Sequence, residues 1–385
     1  MGVLVILYPR AVIKNDMPDA KPLDRTSPEA KEYHKTKNFL FVAHLLITLG
    51  LLLFLTVWGL TIFLRAYLKI FFENALVLNG VFFCVFYFFL NVIGLPLEFY
   101  EGLILERKFK LSKQNFFGWF KDYLKKSIIS FIITGVMVLA VYKLIGAFYN
   151  SWWVFAALLW LMVTLFFTKI FPHIILPLFF KSYPLNDEDL KKRLSRLADK
   201  FKFPLSDILV LELSKKTVKA NAMVTGLGGS KRIYLSDTLL NDFSHEEIEV
   251  VVAHELIHYR NRDMHKHVLV SFLVGIFSFY LCDLFLVRGI QYFGYLAKDD
   301  IATLPFFALL LFIASLVVLP FQNGFSRFLE RNADRGSIEA TGNAKAFISM
   351  ISRLGEKNLS EFSPSKAIEI FLYDHPPISK RIDLA

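Results

Sequence analysis

The run His254-Glu255-Leu256-Ile257-His258 sets two imidazoles four residues apart, with a carboxylate directly after the first. On a helix, residues four apart share a face. Both rings can therefore converge on one zinc ion, with Glu255 beside the ion's open position to take a proton from the attacking water. The competing reading is a pair of hydrogen-bonded histidines on an amphipathic helix, but two imidazoles and a carboxylate on a buried stretch are costly without a partner. A third ligand is then required. It does not come from the continuation H-x-x-G-x-x-H, because His258 is followed by Tyr259-Arg260-Asn261-Arg262-Asp263. A carboxylate from a later helix is the other solution. Glu330 and Asp334 can share a helical face, Glu330 to bind the metal and Asp334 to accept a hydrogen bond from the outer nitrogen of a ligating imidazole. The alternative for that stretch is a solvated helix end, with Arg327 and Arg331 as its partners.

The elements that must position these residues are also legible. Ser244-His245-Glu246-Glu247 has the form of a capping box, so a helix is predicted to start near Ser244 and to run through Val250, Val251 and Val252 into the histidines. Ahead of it, residues 182–266 read as a water-exposed α+β insert. Asn186 is predicted to cap a helix through Lys200, followed by strands at Asp207–Leu213, Val218–Val224 and Arg232–Leu235. Gly226, Gly228 and Gly229 join the last two strands. They suit a hairpin turn rather than a phosphate cradle, since neither a Lys-Ser pair nor a helix follows.

The rest of the chain is a membrane protein. Of 385 residues, 55% are hydrophobic, 16% are aromatic with 41 Phe, and only 20% are charged, which excludes disorder, collagen and disulfide scaffolds. Cys84 and Cys282 lie inside apolar runs and read as packing side chains. Spans of about 20 residues are expected at Phe39–Leu64, Ala75–Leu95, Ser127–Phe148, Trp152–Phe171 (extending to Phe180), Val268–Val287 and Leu304–Gln322. The expected organisation is a loose tail over 1–38, four spans over 39–181 with a basic loop at 96–126, the insert at 182–266, two spans over 267–322, and a C-terminal part of the catalytic domain over 323–385. The net charge of +10 follows topology rather than nucleic acid. Basic residues crowd the N-terminal tail (Arg10, Lys14, Lys21 and Arg25 among them) and the stretch from Arg107 to Lys126. With six spans, these and both termini are expected on the cytoplasmic side. Val3–Leu7 is too short for a span and precedes no cleavage site, so neither signal peptide nor lipid anchor is read. The polar residues Glu73, Lys143 and Asp283 are expected to line an aqueous chamber or to snorkel to the interface.

The motifs resemble those of the type I CAAX prenyl endopeptidases and the related HtpX membrane proteases. The similarity covers His254 to His258, the pattern N-x-x-S-R-x-x-E-x-x-A-D from Asn323 to Asp334, the run from Asn221 to Gly228, Lys231-Arg232-Ile233 with Asp237 to Leu240, and His375-Pro376-Pro377 with Arg381. The resemblance implies a mainly α, polytopic membrane protein with a small α+β gluzincin domain. It implies one zinc per chain on His254, His258 and Glu330, with Glu255 as general base and Asp334 and Asn323 behind the ligands. His375 and Arg381 would approach the substrate or the oxyanion, and an edge strand at Asn221-Ala222 would pair with an extended peptide. Residues 375–381 read without it are an ordinary loop. The chain departs from the prenyl proteases in having Ile257 where Gly is usual, six spans rather than seven, and an HtpX-like stretch after His258. Expected partners are a peptide or protein substrate, prenylated or membrane-embedded, and the lipid bilayer, with no nucleic acid. Quality-control cleavage of membrane proteins is the second reading; a metal-binding transporter or scaffold without catalysis is the third, and it would have no need of Glu255.

Overall fold

A computed structural model describes residues 27–226 and 231–385. The readings on Val3–Leu7, on Arg10, Lys14, Lys21 and Arg25, and on Gly228 and Gly229 lie outside the described residues.

The first helix, α1, spans Pro28–Val57, because Ser27 Oγ caps the Ala30 N–H at 3.1 Å and Pro28 takes the first helical position. The polar stretch expected as a loose tail is thus helical from Pro28 onward. Its order comes from long-range contacts, since Tyr33 is buried and its hydroxyl binds Glu106, which is itself paired with Lys219. The expected single span through Leu64 is also interrupted, because Gly59 at φ 63° starts a separate helix α2, Leu60–Lys69. Helix α3 (Ala75–Phe99) continues through a π-helical turn, Tyr100–Leu105, into α4 (Glu106–Lys108), so the first part of the expected basic loop is helical. Helices α5 (Phe116–Ala147) and α6 (Trp152–Ile170) follow, and α6 passes through a second π turn at Pro172 into α7 (Leu176–Phe179). After the catalytic insert come α11 (Asp263–Phe293) and α12 (Leu304–Thr341). Among the described residues, six helical stretches are long and apolar enough to cross a bilayer: Pro28–Val57, Ala75–Lys108, Phe116–Ala147, Trp152–Phe179, Asp263–Phe293 and Ile301–Thr341.

Aromatic side chains such as Phe82, Trp152, Phe279 and Phe307 form the membrane core. At its end away from the histidines, Asp283 accepts from Trp152 Nε1 at 2.6 Å and from the buried Lys298 ammonium at 2.7 Å. Asp283 is therefore neither a chamber-lining charge nor a snorkelling one. It is the buried half of an ion pair that ties α6 to the α11–α12 connection, and a buried charge persists only with such a partner.

Between the spans, a four-stranded sheet is ordered β1-β2-β4-β3, with β1 Ser182–Pro184, β2 Leu205–Leu211, β3 Ala222–Thr225 and β4 Lys231–Ser236. β2 and β4 are parallel, while β3 pairs antiparallel with β4 and, among the described residues, has no strand on its other edge. Helix α8 (Glu188–Lys200) packs Leu190, Leu194 and Leu197 into the domain core and is capped by Asp187, one residue later than expected, through Leu190 N–H at 2.9 Å. The short α9 (Asp237–Asp242) leads to α10 (His245–Arg260). Past α12 come α13 (Ala344–Lys357), α14 (Lys366–Leu372) and α15 (Ile378–Ile382). Helix α12 has 38 residues, nearly twice what a bilayer needs. It leaves the membrane unbroken and carries Glu330 and Asp334 into the catalytic domain, so the expected boundary at residue 322 falls inside a helix.

Candidate active site

Helix α10 is fixed at its start. Ser244 N–H donates to Glu247 at 2.8 Å and Glu247 N–H donates to Ser244 Oγ at 3.3 Å, which is the capping box expected. The same Glu247 carboxylate accepts from Ser349 Oγ and Arg353 Nη1 of α13, each at 2.7 Å. Val250, Val252, Ala253, Leu256 and Ile257 then bury one face, which leaves His254 and His258 directed at α12.

There the two imidazoles meet Glu330. His254 Nε2 lies 3.1 Å from Glu330 Oε2 and 3.1 Å from His258 Nε2, and His258 Nε2 lies 3.3 Å from Glu330 Oε1. Two nitrogens and a carboxylate within 4.8 Å of one another are a donor set for a tetrahedral dication with one open position. The outer nitrogens are also engaged. Asp263 Oδ2 is 2.9 Å from His258 Nδ1, and Asp334 Oδ1 is 3.0 Å from His254 Nδ1, although without the alignment of a hydrogen bond. Burial alone would lower the pKa of His258, but the hydrogen bonds to Asp263 and Glu330 outweigh it and push it up to about 10. His254 is likewise raised, burial being overcome by Asp334 and Glu330. Both rings thus present Nε2 toward Glu330 and each other while their outer nitrogens face carboxylates, the arrangement in which imidazoles ligate a metal ion.

Glu255 projects from the next position into a cleft and is raised above its ordinary value, chiefly by burial, with His254 and His258 opposing. On one side of it the cleft is lined by Asn221, Ala222, His254, His375 and Arg381. His375 Nε2 is 3.4 Å from Glu330 Oε2, and its Nδ1 is 2.9 Å from Asp374. Burial lowers the pKa of His375, but the Asp374 contact and the Glu330 charge raise it on balance. The sequence pattern alone would have left His375 and Arg381 in an ordinary loop, and the fold brings both to the histidine cluster. Arg381 clasps Asp334 through Nε at 2.8 Å and Nη2 at 2.6 Å, so its main engagement is with the carboxylate behind His254.

Ser236 bonds both main-chain groups of Asn221, donating to its carbonyl at 2.9 Å and accepting its N–H at 2.9 Å. By antiparallel alternation, Ala222 and Val224 are the residues whose main-chain groups face the free edge. Of the expected pair, Ala222 rather than Asn221 can therefore offer its backbone to a peptide. Asn323 is not brought to the cluster. Its amide donates to Phe371 O at 2.7 Å, and it stands seven residues before Glu330, about 10 Å along the helix axis. Asp263 was missed by sequence reasoning. Its signal was a carboxylate just past the helix end, and the turn through Arg262 at φ 54° swings it back onto His258. Ile257, the departure from the prenyl-protease pattern, lies against Gly336 of α12.

Residues 184–385 match the model of peptidase family M48, and residues 23–181 match that of the CAAX prenyl protease N-terminal region, described as five membrane helices. The chain is 32% identical over 360 residues to the uncharacterized metalloprotease YhfN of Bacillus subtilis, covering 92% of this chain and 84% of that protein. It is 29% identical over 319 residues to CAAX prenyl protease 1 of Saccharomyces cerevisiae, covering 76% of this chain and 68% of that protein. The fold is similar to the crystal structure of S. mikatae Ste24p, with a TM-score of 0.83 at 24% identity over 92% of this chain and 88% of that one. The chain belongs to peptidase family M48 and is a multi-pass integral membrane metalloendopeptidase that resembles the CAAX prenyl proteases.

Proposed function

We propose that His254, His258 and Glu330 hold one zinc ion and that the cleft beside them hydrolyses peptide bonds of extended substrates, including prenylated C-terminal peptides. The observation that carries this reading is the convergence of two imidazole nitrogens and one carboxylate from α10 and α12 on a single point, next to Glu255 in an open cleft. A zinc ion there would supply Lewis acidity, polarising the scissile carbonyl and acidifying the attacking water.

The chain's own groups do the rest. Glu255 accepts the water's proton and returns it to the leaving amine; its raised pKa suits a base that must also release a proton. Protonated His375 donates from Nε2 towards the oxyanion, as its raised pKa and position in the cleft support. Arg381 holds Asp334 and thereby the outer face of His254, and its remaining N–H groups border the same cleft. Asp263 orients His258. The free edge of β3 takes the peptide as an added strand through Ala222 and Val224.

The catalytic side is read as cytoplasmic, together with both termini. The even number of spans and the lysines of residues 107–126 favour this, and two cations at the opposite end are neutralised, Arg65 by Asp300 and Lys298 by Asp283. Relatives named CAAX prenyl proteases support the prenyl-peptide substrate. The deciding experiment is cleavage by purified protein of prenylated and unprenylated versions of one peptide, with zinc content measured on the same sample. Absence of bound zinc, or equal turnover by Glu255→Gln, would defeat the reading.

A further inference from the structure

The cleft around Glu255 has two lobes of unlike charge. Ala222 at the start of β3 lines the smaller, of about 370 Å³, and Val224 and Thr225 at its end line the larger, of about 600 Å³. Glu255 lines both. The larger lobe is bordered by Lys169, Lys202, Lys231, Arg260 and Arg262, with His265 beside them, and among the described residues Glu255 is its one carboxylate. In the smaller lobe the charges are matched by partners, Arg381 by Asp334 and Asp374 by His375.

Two of the cations in the larger lobe are held by aromatic rings and, among the described residues, by no acid. Lys231 donates to the Tyr259 hydroxyl and sits 4.1 Å from that ring's centroid, and Arg260 lies 5.4 Å from the Phe201 ring. Ring contacts fix a cation's position but leave its charge uncompensated. Cations so arranged around a partly enclosed space focus a positive potential there. Membrane anchoring accounts for Lys169, at the end of a spanning helix, but not for the others. Those come from the α8–β2 turn, β4 and the α10–α11 corner, and converge on the space that opens onto Glu255.

We propose that this lobe is the subsite for a carboxylate side chain of the bound peptide. The group would lie about two or three residues from the bond cut, at about 3.3 Å per residue along β3. The inference rests on the reading of Glu255 as the base at the middle of the cleft.

The test is binding of fluorescent peptides to full-length Glu255→Gln protein in phosphatidylcholine nanodiscs. One neutral peptide is compared with a series carrying a single Asp at successive positions, each with a C-terminal acid or amide. The Asp series separates a side-chain carboxylate from a terminal one. The expected result is about tenfold tighter binding at one position, on one side of the scissile bond, from a few partly exposed charge pairs. The advantage should vanish in Lys231→Glu/Arg260→Glu and shrink in the exposed single variant Lys202→Glu, which keeps the test open if the double variant does not fold. Equal binding of acidic and neutral peptides would overturn the proposal. So would an advantage that survives charge reversal, or one abolished by phosphatidylserine in the disc, which would assign the lobe to lipid headgroups. Failure of wild-type protein to hydrolyse any peptide would count against the peptidase mechanism, while the binding comparison would still decide the subsite.

Discussion

Ile257 occupies the place where a side chain at position 336 would begin: a Cβ on Gly336 would lie 2.7 Å from Ile257 Cδ1 and 3.0 Å from its Cγ1. The bulk carried by α10 just before its second histidine is thus accommodated by α12, and this contact bears on the separation between the helices that carry the proposed metal ligands. Gly336→Ala should push them apart, at a cost of about 1–3 kcal/mol for overpacking. Zinc retention should fall, and Ile257→Ala in the same chain should restore it. Thermal unfolding and zinc content of the two single variants and the double variant form the cycle that checks this; strictly additive losses would disprove the coupling.

Asp334 is fully buried, and its charge is balanced by Arg381. Removing one partner of a buried pair strands the other, at a cost of about 3–5 kcal/mol. Arg381→Ala should therefore lower both stability and zinc affinity, whereas a residue acting on the substrate alone would change only turnover. Competition with a chelator separates the two, and unchanged zinc affinity would reduce Arg381 to a substrate contact.

Glu255→Gln should keep zinc and fold yet lose cleavage by about 10²- to 10⁴-fold, because an amide accepts no proton. Glu330→Gln should show the opposite pattern, with zinc affinity weakened tenfold or more. Elemental analysis beside single-turnover hydrolysis distinguishes them, and equal zinc in His254→Ala and wild type would refute the metal site.

Glu247 gives a pH signature unrelated to chemistry. Burial would raise its pKa, but the hydrogen bonds from Ser349 and Ser244 and the Arg353 charge lower it overall. A depressed carboxylate contributes stability above the unfolded pKa of about 4.3, and that contribution is lost as pH falls through the folded value. Glu247→Gln should thus cost about 1 kcal/mol at pH 7, given a partly exposed Arg353. The difference from wild type should shrink below about pH 4; melting curves at both pH values that differ equally would remove this role.

Ala222→Pro should impair cleavage while leaving zinc bound, because Pro deletes a donor on the free edge of β3 without touching the ligands. A peptide N-methylated near the scissile bond should be a poor substrate of the unaltered protein for the same reason. Normal hydrolysis of the N-methylated series would show that side-chain pockets, not the strand edge, hold the substrate.

Sequence by itself determined the features that depend on local periodicity. Four-residue spacing brings His254 and His258 onto one helical face, the Ser244/Glu247 box starts that helix, and uninterrupted apolar runs mark the spans. These interactions lie within a turn or two of chain, where residue spacing dictates geometry. Other features depended on which surfaces meet. Tyr33 turns an apparently loose tail into the first turns of α1 by reaching Glu106. Arg381 finds Asp334 across 47 residues. Asn323, despite its place in the motif, lies two helical turns short of Glu330 and donates to Phe371 instead of joining the histidine cluster. The cost of burying a charge or a bulky side chain is settled by its neighbours in space, and only tertiary packing names those neighbours.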